Sequence, residues 1–246
     1  MRRIALFSDV HGNLPALDVV LGDIAKVGFA RRNMYCLGDL VGYGPDPAGV
    51  VERVRSSRIR TVRGNYDDGV GNRRGECGCH YATEQAKLDG AASYTFTDAA
   101  LSDADHEWLA ALPDSIRFEV GDLRVLLAHG SPRKINEYLL TDRTDEFLAR
   151  LADQAGADVV CIGHVHIPYH RIVEGAGGRR IDYVSVPSAG KPKDGDPRAG
   201  WTELLLDADG SAVAETHRLA YDVDAVAAAT LAAGLPATLA EALALA

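Results

Sequence analysis

Apolar residues along this chain gather in short runs, and each run ends in a glycine or a polar side chain. The runs are rich in branched aliphatic residues, which is typical of strands that are buried on both faces. We therefore predict a sheet that other elements cover on each side. The first five predicted strands are Ile4–Phe7, Met34–Leu37, Ile59–Arg63, Val125–Ala128 and Val159–Ile162.

Helical patterns separate these predicted strands. The 30 residues from Asp9 to Asp39 fit one strand–helix–strand unit, so we expect the first two strands to be parallel. Both aspartates then lie at the same edge of one sheet. The predicted helices are Leu14–Val27, Pro47–Ser57, Tyr81–Ala92, Ser102–Leu112 and Thr144–Ala155.

The last third of the chain has a different pattern, in which strand-like segments alternate with glycine-rich turns at Gly175–Gly178 and Asp207–Gly210. We expect these strands to form a second, partly antiparallel sheet. The alanine-rich residues at about 222–246 predict a helical segment with a break near Gly234–Pro236. No linker is evident, so we predict one domain over residues 1–246. The later predicted strands are Tyr169–Val173, Arg180–Val184, Trp201–Leu206 and Ala212–Leu219.

Composition places the chain among globular proteins rather than disordered or membrane-spanning ones. Of its 246 residues, 47% are hydrophobic and 25% are charged, and no run approaches the ~18 apolar residues of a membrane span. The formal charge of −9 argues against an extended nucleic-acid surface but leaves room for a local basic pocket. The apolar stretch after Met1 is too short for a signal peptide, so we expect a cytoplasmic protein with no membrane partner.

Side chains that bind metals follow all five of the first predicted strands. Alone, an aspartate at such a position commonly caps a helix, and a buried histidine commonly makes a hydrogen bond. Seven oxygen and imidazole donors at five successive strand ends indicate instead a ligand site in the crevice beyond them. Such donors suit two divalent ions (Mn, Fe, Zn, Co or Ni), which can hold a phosphoryl group and activate a water. The candidate ligands are Asp9, His11, Asp39, Asn65, His129, His164 and His166.

The order of these residues resembles the calcineurin-like metallophosphoesterase superfamily, whose pattern is D-x-H, G-D, G-N-H-[DE], H and G-H-x-H. The motifs cover residues 8–166, and Gly38–Pro47, His129–Pro132 and Pro187–Arg198 resemble a branch of small bacterial and archaeal single-domain phosphoesterases. The resemblance implies an α/β fold of four α-β-β-α layers. In that fold two mixed sheets are flanked by helices, and the dinuclear metal site lies at the carboxyl ends of the strands.

The resemblance also implies roles for individual residues. Asp39 would bridge the two metal ions, and together with Asn65, Asp67 and His129 it would form the catalytic set. The remaining ligands would be Asp9 and His11 with His166 for one ion, and Asn65 and His129 with His164 for the other.

Residue 66 departs from the superfamily pattern, because Tyr66 stands where the family has a histidine that protonates the leaving group. A phenol with a pKa near 10 is a poor general acid at neutral pH, so we expect substrates with good leaving groups, or another donor such as His80. Asp67 then becomes a loop residue that makes hydrogen bonds. The arginines of the following loop would either meet a phosphate as part of a lid or be solvated. The predicted substrate contacts are Asn65, Tyr66, Arg73, Arg74 and His80.

The cysteines and remaining polar residues carry further interpretations. Cys36 and Cys161 lie in apolar runs and are expected to be reduced core residues. Cys77, Cys79 and His80 could hold an extra metal, but C-x-C-H lacks the second ligand pair of a zinc module. The other interpretations are His106 and His217 at the surface, His170 as structural, and Lys191 and Lys193 as solvated residues of a turn near the cleft.

These observations favour a divalent-metal-dependent phosphoesterase that acts by attack of a metal-activated hydroxide. Phosphodiesters rank ahead of phosphomonoesters, because the position of the proton donor is altered. One alternative is a serine/threonine-type protein phosphatase or small-molecule phosphatase, and another is a catalytically weak metal-binding scaffold of the same fold. The expected partner is a small phosphoester, because two divalent ions would make the cleft an electropositive spot on an acidic protein.

Overall fold

Short buried strands form the centre of the molecule. The structure is a computed structural model that describes residues 1–207 and 210–245, and ten strands lie within these residues. In chain order they are β1 (Arg2–Phe7), β2 (Met34–Cys36), β3 (Arg60–Thr61), β4 (Ser115–Val120), β5 (Leu123–Ala128), β6 (Val159–Ile162), β7 (Tyr169–Glu174), β8 (Arg180–Ser185), β9 (Ala199–Leu206) and β10 (Ala212–Leu219).

The strands form two mixed five-stranded sheets, which confirms the predicted fold class. The first sheet has the order β10-β9-β1-β2-β3, in which β1, β2 and β3 are parallel and β9 is antiparallel to both of its neighbours. The second sheet has the order β4-β5-β6-β8-β7, with β5, β6 and β8 parallel and an antiparallel strand at each edge. The parallel pairing of β1 with β2 agrees with the spacing from Asp9 to Asp39.

The distribution of strands between the sheets differs from the prediction. β9 and β10 were expected in the second sheet, but β9 pairs with β1, with Arg2 opposite Leu206 and Leu6 opposite Thr202. Apolar patterning records that a strand is buried and not which strand it pairs with, because pairing is decided by tertiary packing. β4 was not predicted either, although its apolar residues Ile116, Phe118 and Val120 alternate as in a strand with one buried face.

Helices cover the outer face of each sheet, so the layers follow the order α-β-β-α. Helices α1 and α2 pack on the first sheet through residues such as Val20 and Val50, and α6 packs on the second through Leu148. Leu6 and Leu127 belong to the core between the sheets. Within the described residues the helices are α1 (Leu14–Val27), α2 (Pro47–Ser57), α3 (Asn65–Gly71), α4 (Glu84–Ala100), α5 (Asp103–Ala110), α6 (Asp145–Ala155), α7 (Val223–Ala232) and α8 (Ala237–Leu245).

Two helices differ from the predicted set. α3 was not predicted. α4 begins at Glu84 rather than at Tyr81, because the Thr83 side chain caps it by accepting a hydrogen bond from the Ala86 amide at 3.1 Å. It also continues to Ala100, beyond the predicted end at Ala92. None of the described helices is both long and apolar enough to cross a membrane. The predicted C-terminal helical segment is present as α7 and α8. Ala208 and Asp209 of the predicted turn and the final Ala246 lie outside the described residues.

His106 and His217 do not lie free at the surface, so that expectation was wrong. α5 packs against α3, and this buries the His106 ring, whose Nδ1 lies 2.9 Å from the carbonyl oxygen of Val70. The His217 ring is half-buried because it stacks on Trp201 at a centroid distance of 4.0 Å.

Candidate metal centre

The loops that follow β1, β2, β5 and β6, together with the start of α3, bring all seven candidate ligands to one end of the two sheets. Each of these residues is at most 3% exposed to solvent. Burial of so many ionisable groups is costly unless they bind a partner. The cluster therefore requires a specific chemical explanation.

The donor atoms fall into two groups, and each group combines one carboxylate with two imidazoles. Asp39 faces both groups, because its Oδ2 lies 3.3 Å from His129 Nε2 and 3.8 Å from His11 Nε2. Asn65 adjoins the second group, with its Oδ1 3.1 Å from His129 Nε2. Within a group all donor atoms lie within 4.8 Å of one another, and the groups are Asp9 with His11 and His166, and Asp39 with His129 and His164.

Backbone carbonyls fix the orientation of three of the four imidazoles. A carbonyl oxygen only accepts hydrogen bonds, so the bonded Nδ1 carries the proton and Nε2 faces the other donors. This arrangement of an imidazole held from behind is common in metal sites. The pairs are His11 with Val41 at 3.0 Å, His129 with Leu37 at 2.7 Å, and His166 with Lys191.

The donor atoms fit divalent metal ions better than they fit one another. His11 Nε2 and His166 Nε2 face each other at 3.2 Å, and with both protons on Nδ1 this contact opposes two lone pairs. His164 Nε2 is buried and has no hydrogen-bond partner. A cation between such acceptors removes the repulsion and satisfies the orphaned atom. Nitrogen and oxygen donors in this combination suit first-row divalent ions.

The two groups differ in their protonation. Burial lowers the pKa of His11 to about 3, although Asp39 partly opposes the shift, and burial with the neighbouring His129 lowers the pKa of His164 to about 3. Burial also acts on His129, but the Asp39 carboxylate outweighs it and raises the pKa of His129 to about 9. At neutral pH, His11 and His164 are therefore ready to bind metal, whereas His129 must first release a proton.

The backbone at this site adopts conformations that ordinary residues avoid. Among the described residues, eight non-glycine residues have positive φ, and five of them are candidate ligands. Each such residue costs roughly 1 kcal/mol or more, and such strain is typical of functional sites. The Asp9 carboxylate helps to hold the strained loop of the second sheet, because its Oδ2 accepts a hydrogen bond from the His164 amide at 3.0 Å. The five ligands are Asp9, His11, Asp39, His164 and His166.

Two glycines of the sequence motifs are required by close packing. A Cβ atom at Gly64 would collide with the backbone nitrogen of Asp39, and a Cβ at Gly163 would collide with the Ser8 hydroxyl. These contacts explain why glycine precedes the ligands Asn65 and His164.

Comparison with known proteins now identifies the family. The family profile of the calcineurin-like phosphoesterase superfamily domain matches residues 1–211. The chain belongs to this superfamily. An uncharacterized protein of Methanocaldococcus jannaschii is 32% identical over 232 residues, which cover 89% of this chain and 88% of that protein.

Solved structures of the same fold support this membership. A metallophosphoesterase from Sphaerobacter thermophilus superimposes with a TM-score of 0.74 and 28% identity over 99% of each chain. A hypothetical protein from Pyrococcus horikoshii shares the fold with a TM-score of 0.80 and 20% identity, over 99% of this chain and 98% of that one. Membership in the superfamily supports metal-dependent phosphoester hydrolysis as the general chemistry of the chain.

Asp67 of the superfamily motif binds the backbone that carries Asp39. Its two oxygens accept hydrogen bonds from the amides of Asp39, Leu40 and Gly64, each at 2.9 Å. Burial and the neighbouring Asp39 carboxylate raise the pKa of Asp67 to about 7. Asp67 therefore joins the loop after β2 to the start of α3.

Tyr66, where the superfamily pattern has histidine, is packed into the protein. Its ring is fully buried and lies edge-on to the His11 ring at 5.6 Å and beside the Tyr43 ring at 4.9 Å. Its hydroxyl is buried without a hydrogen-bond partner. Burial raises the pKa of Tyr66 well above 10, which makes this side chain a still poorer acid than a solvated phenol.

The loop after α3 orients the amide of Asn65. Asn65 Nδ2 donates to the Cys77 carbonyl oxygen at 3.0 Å and to Cys79 Sγ at 3.1 Å, which leaves Oδ1 directed at His129. Cys77 and Cys79 form a disulfide, so neither sulfur is a free thiolate that could bind a metal. The extra metal site suggested for these two cysteines and His80 is therefore not supported. No sequence signal linked these cysteines to Asn65.

The other two cysteines lie far apart in the chain and in different parts of the hydrophobic core. Cys36 and Cys161 are free and buried in strands β2 and β6, which confirms the expectation of reduced core residues.

Three predicted substrate contacts, Arg73, Arg74 and His80, lie in the loop after α3. Arg73 pairs with Asp103, and Arg74 pairs with Asp68 at 2.8 Å, both with exposed guanidinium groups. His80 is exposed. That the arginines or His80 contact substrate stays a prediction.

Tyr138 and Lys191 also border the site, and sequence reasoning did not assign either of them to it. The Tyr138 ring packs against the His164 ring at a centroid distance of 4.1 Å, with the two planes tilted by 36°. The Lys191 Nζ lies 4.8 Å from the centroid of the Tyr43 ring. A lone tyrosine in a loop gives no signal of such a contact, whereas Lys191 stood in a motif that had already been noted.

Proposed function

We propose that this protein hydrolyses phosphodiesters, with phosphomonoesters as slower substrates. The observation that carries the proposal is the pair of buried carboxylate–imidazole groups joined by Asp39. Asp9, His11 and His166 would hold one divalent ion, and the donors around His129 would hold the other. Two such ions supply Lewis-acid polarisation of a phosphoryl group and a nucleophile made from water at neutral pH.

The protein's own residues position these groups before the substrate arrives. Backbone carbonyls fix the imidazoles, and the Cys77 carbonyl directs Asn65. Asp67 holds the Asp39 loop through hydrogen bonds from the amides of Asp39 and Leu40. Preorganised donors of this kind need no rearrangement when charge develops on the phosphoryl oxygens.

The preference for diesters rests on Tyr66. The transition state of a phosphomonoester is loose and leaves much charge on the departing oxygen, so the reaction depends on a proton donor or a good leaving group. A buried hydroxyl whose pKa is raised well above 10 does not supply that proton at neutral pH. Diesters with acidic leaving groups are the substrates least affected by this deficiency.

The direct experiment combines metal analysis with an activated diester. Purified protein is loaded with Mn²⁺ and assayed with bis(p-nitrophenyl) phosphate and with p-nitrophenyl phosphate. We expect two bound ions per chain, faster turnover of the diester, and loss of activity after chelation. Two bound ions without turnover of either ester would favour the scaffold alternative. The absence of both bound metal and turnover would contradict the proposal.

Substitution of Tyr66 tests the role of this position. Tyr66→His should raise turnover of a diester with a poor leaving group by at least about tenfold relative to the nitrophenyl diester, because it restores a titratable donor. Tyr66→Phe is the matched control, and it should leave both rates close to wild type, since a buried phenol with a raised pKa does not donate a proton to the leaving group at neutral pH. An unchanged ratio of the two rates in Tyr66→His would show that residue 66 does not limit protonation of the leaving group.

A further inference from the structure

The turn that carries Lys191 is attached to the metal-binding loops. Apart from one hydrogen bond within the turn, each attachment involves the loop of Asp9 or the candidate ligand His166, so the backbone of the turn is held against the candidate metal site. A Cβ atom at Gly190 would collide with the carbonyl oxygen of Val10. The hydrogen bonds are Ser188 Oγ to Asp9 O at 2.7 Å, Gly190 N to Asp9 O at 3.0 Å, Asn13 Nδ2 to Gly190 O at 3.0 Å, Lys191 N to Ser188 Oγ at 2.8 Å, and His166 Nδ1 to Lys191 O.

The acidic residues of this turn are paired with arginines. Asp194 pairs with Arg218, and Asp196 pairs with Arg198 at 2.6 Å. Lys191 and Lys193 differ, because within residues 1–207 and 210–245 neither has a carboxylate within 4.0 Å of its ammonium nitrogen. The segment therefore presents two cations that its own carboxylates do not neutralise.

Both lysines lie close to the candidate metal site. Lys191 lines a small cavity together with His11 and Tyr43. The Asp9 and Asp39 carboxylates act electrostatically on Lys193. The expectation that these lysines are simply solvated is therefore wrong for Lys191, which is half-buried.

The ammonium groups of half-buried Lys191 and exposed Lys193 repel each other, and an anion bound between them relieves this repulsion. Asp9 and Asp39, the carboxylates that act on Lys193, are committed to the candidate metal ions. Asp89, the carboxylate that acts on Lys191, accepts hydrogen bonds from Gln85 and Thr238 instead. Ammonium groups on flexible stems bind phosphate oxygens as point charges. The uncompensated charge thus matches an anionic group brought by the substrate.

We propose that Lys191 and Lys193 bind a second phosphate of the substrate, one that is not cleaved. This inference rests on the proposed function, in which the scissile phosphoryl group binds at the candidate metal centre. The preferred substrate is then a phosphodiester that bears an additional phosphate group near the scissile bond.

The kinetic test uses two substrates that differ only in this second phosphate. Thymidine 5′-(p-nitrophenyl phosphate) and its 3′-phosphorylated derivative share the scissile bond and the leaving group. The Mn²⁺-loaded protein should favour the 3′-phosphorylated substrate by about tenfold or more in kcat/KM, mainly through KM, because hydrogen bonds to charged groups discriminate by this amount.

Variants of the two lysines assign the preference. K191Q combined with K193Q should remove the preference, so that kcat/KM becomes equal for the two substrates. K191R combined with K193R should retain the preference, because the positive charges remain. The matched control is K26Q, an exposed lysine at the end of α1, which should behave like wild type.

A binding measurement separates this inference from the proposed function. Calorimetry with the Mn²⁺-loaded protein should show thymidine 3′,5′-bisphosphate binding at least about tenfold more tightly than thymidine 5′-monophosphate, and the glutamine variants should lose the difference. Absence of turnover with both esters would contradict the proposed function alone, and the calorimetric comparison would still decide the role of the lysines. Equal affinities in the wild-type protein, or a preference that survives in the glutamine variants, would overturn the inference.

Discussion

Strands β5 and β6 have charged or ionisable residues at both of their ends. The residues at the amino ends form ion pairs with one another, and those at the carboxyl ends are candidate metal ligands. At the amino ends, the Asp158 carboxylate receives two side-chain hydrogen bonds from Arg124, at 2.8 and 2.9 Å, and pairs also with Arg179. At the carboxyl ends, the side chains are His129 and His164. His129 Nε2 lies 3.3 Å from Asp39 Oδ2, whereas His164 Nε2 is buried without a hydrogen-bond partner. One end is neutralised within the protein, and the other requires a ligand.

The backbone shows the same contrast. His164 has a φ of 65°, and no residue of the ion-pair network formed by Arg124, Asp158 and Arg179 is among the described non-glycine residues with positive φ. Strain together with unsatisfied donors indicates a site selected for binding, whereas a satisfied ion pair with relaxed backbone indicates stability. Substitutions at the two ends should therefore have separable effects on metal binding and on unfolding.

The largest effect is expected for Asp39→Asn at the metal-binding end. Asp39 faces both ligand groups, and the amide removes the negative charge that they share. We expect metal affinity to fall by more than about 100-fold, since loss of residues that merely support ligands costs up to that much. Titration of the apoprotein with Mn²⁺ against a competing chelator measures the change.

Thermal unfolding supplies an independent check on Asp39→Asn. A metal that binds only the folded state raises Tm by an amount that grows with the logarithm of its affinity, so Mn²⁺ should raise the Tm of the wild-type protein and have little effect on the variant. A variant that retained both ions with wild-type affinity would contradict the assignment of Asp39 as the residue shared by the two groups.

The next effect in size is expected at the opposite end, for Asp158→Asn. Hydrogen bonds from Arg124 are the main reason the pKa of Asp158 falls to about 2. The variant should lose about 1 to 2 kcal/mol of unfolding free energy at neutral pH, a value reduced because the Arg124 guanidinium is half-exposed. Metal affinity should stay at the wild-type level.

The pH dependence of Asp158→Asn has a defined direction. Because the folded-state pKa lies below the unfolded value of about 3.9, the carboxylate stabilises the protein fully above about pH 4 and loses this contribution as the pH falls through about 2. The difference in unfolding free energy between wild type and variant should shrink over that range. Chemical denaturation at several pH values measures it, and a difference that did not change with pH would exclude the ion pair as its source.

The sequence predicted the metal-binding end better than it predicted the rest of the fold. Asp9, Asp39 and His164 each follow an apolar run, so strand ends and ligand chemistry could be read together. Strand pairing could not be predicted in this way, because β9 would be buried in either sheet and only tertiary packing selects β1 as its neighbour. The positive φ values of the ligands are equally invisible, since no local residue pattern demands them.

Contacts made by long loops were also beyond sequence reasoning. The contact between the Tyr138 and His164 rings joins residues 26 positions apart, and α6 and β6 lie between them in the chain. The bond from Asn65 to Cys79 depends on the path of a glycine-rich loop rather than on any motif. Such contacts are set by the folded loop and become visible only in three dimensions.

The smallest effect is expected for Arg73→Ala. Arg73, like Lys191, is a basic residue in a loop near the candidate site, but it differs from Lys191 in having a carboxylate partner. Arg73 pairs with Asp103, and both side chains are more than half exposed. Exposed pairs contribute at most about 1 kcal/mol and are screened by salt, so stability should change little. Turnover of a small activated diester should stay within about twofold of wild type, because the guanidinium already has a carboxylate partner away from the ligands.

Steady-state kinetics of Arg73→Ala at low and high salt measure this effect. Asp103→Ala is the matched variant, because it frees the arginine instead of removing it and should leave kcat/KM equally unchanged. A large fall in kcat/KM for Arg73→Ala alone would mean that the arginine leaves Asp103 to meet the substrate, as the lid interpretation of the sequence requires. The distinction between paired and unpaired cations would then fail as a guide to which basic residues bind substrate.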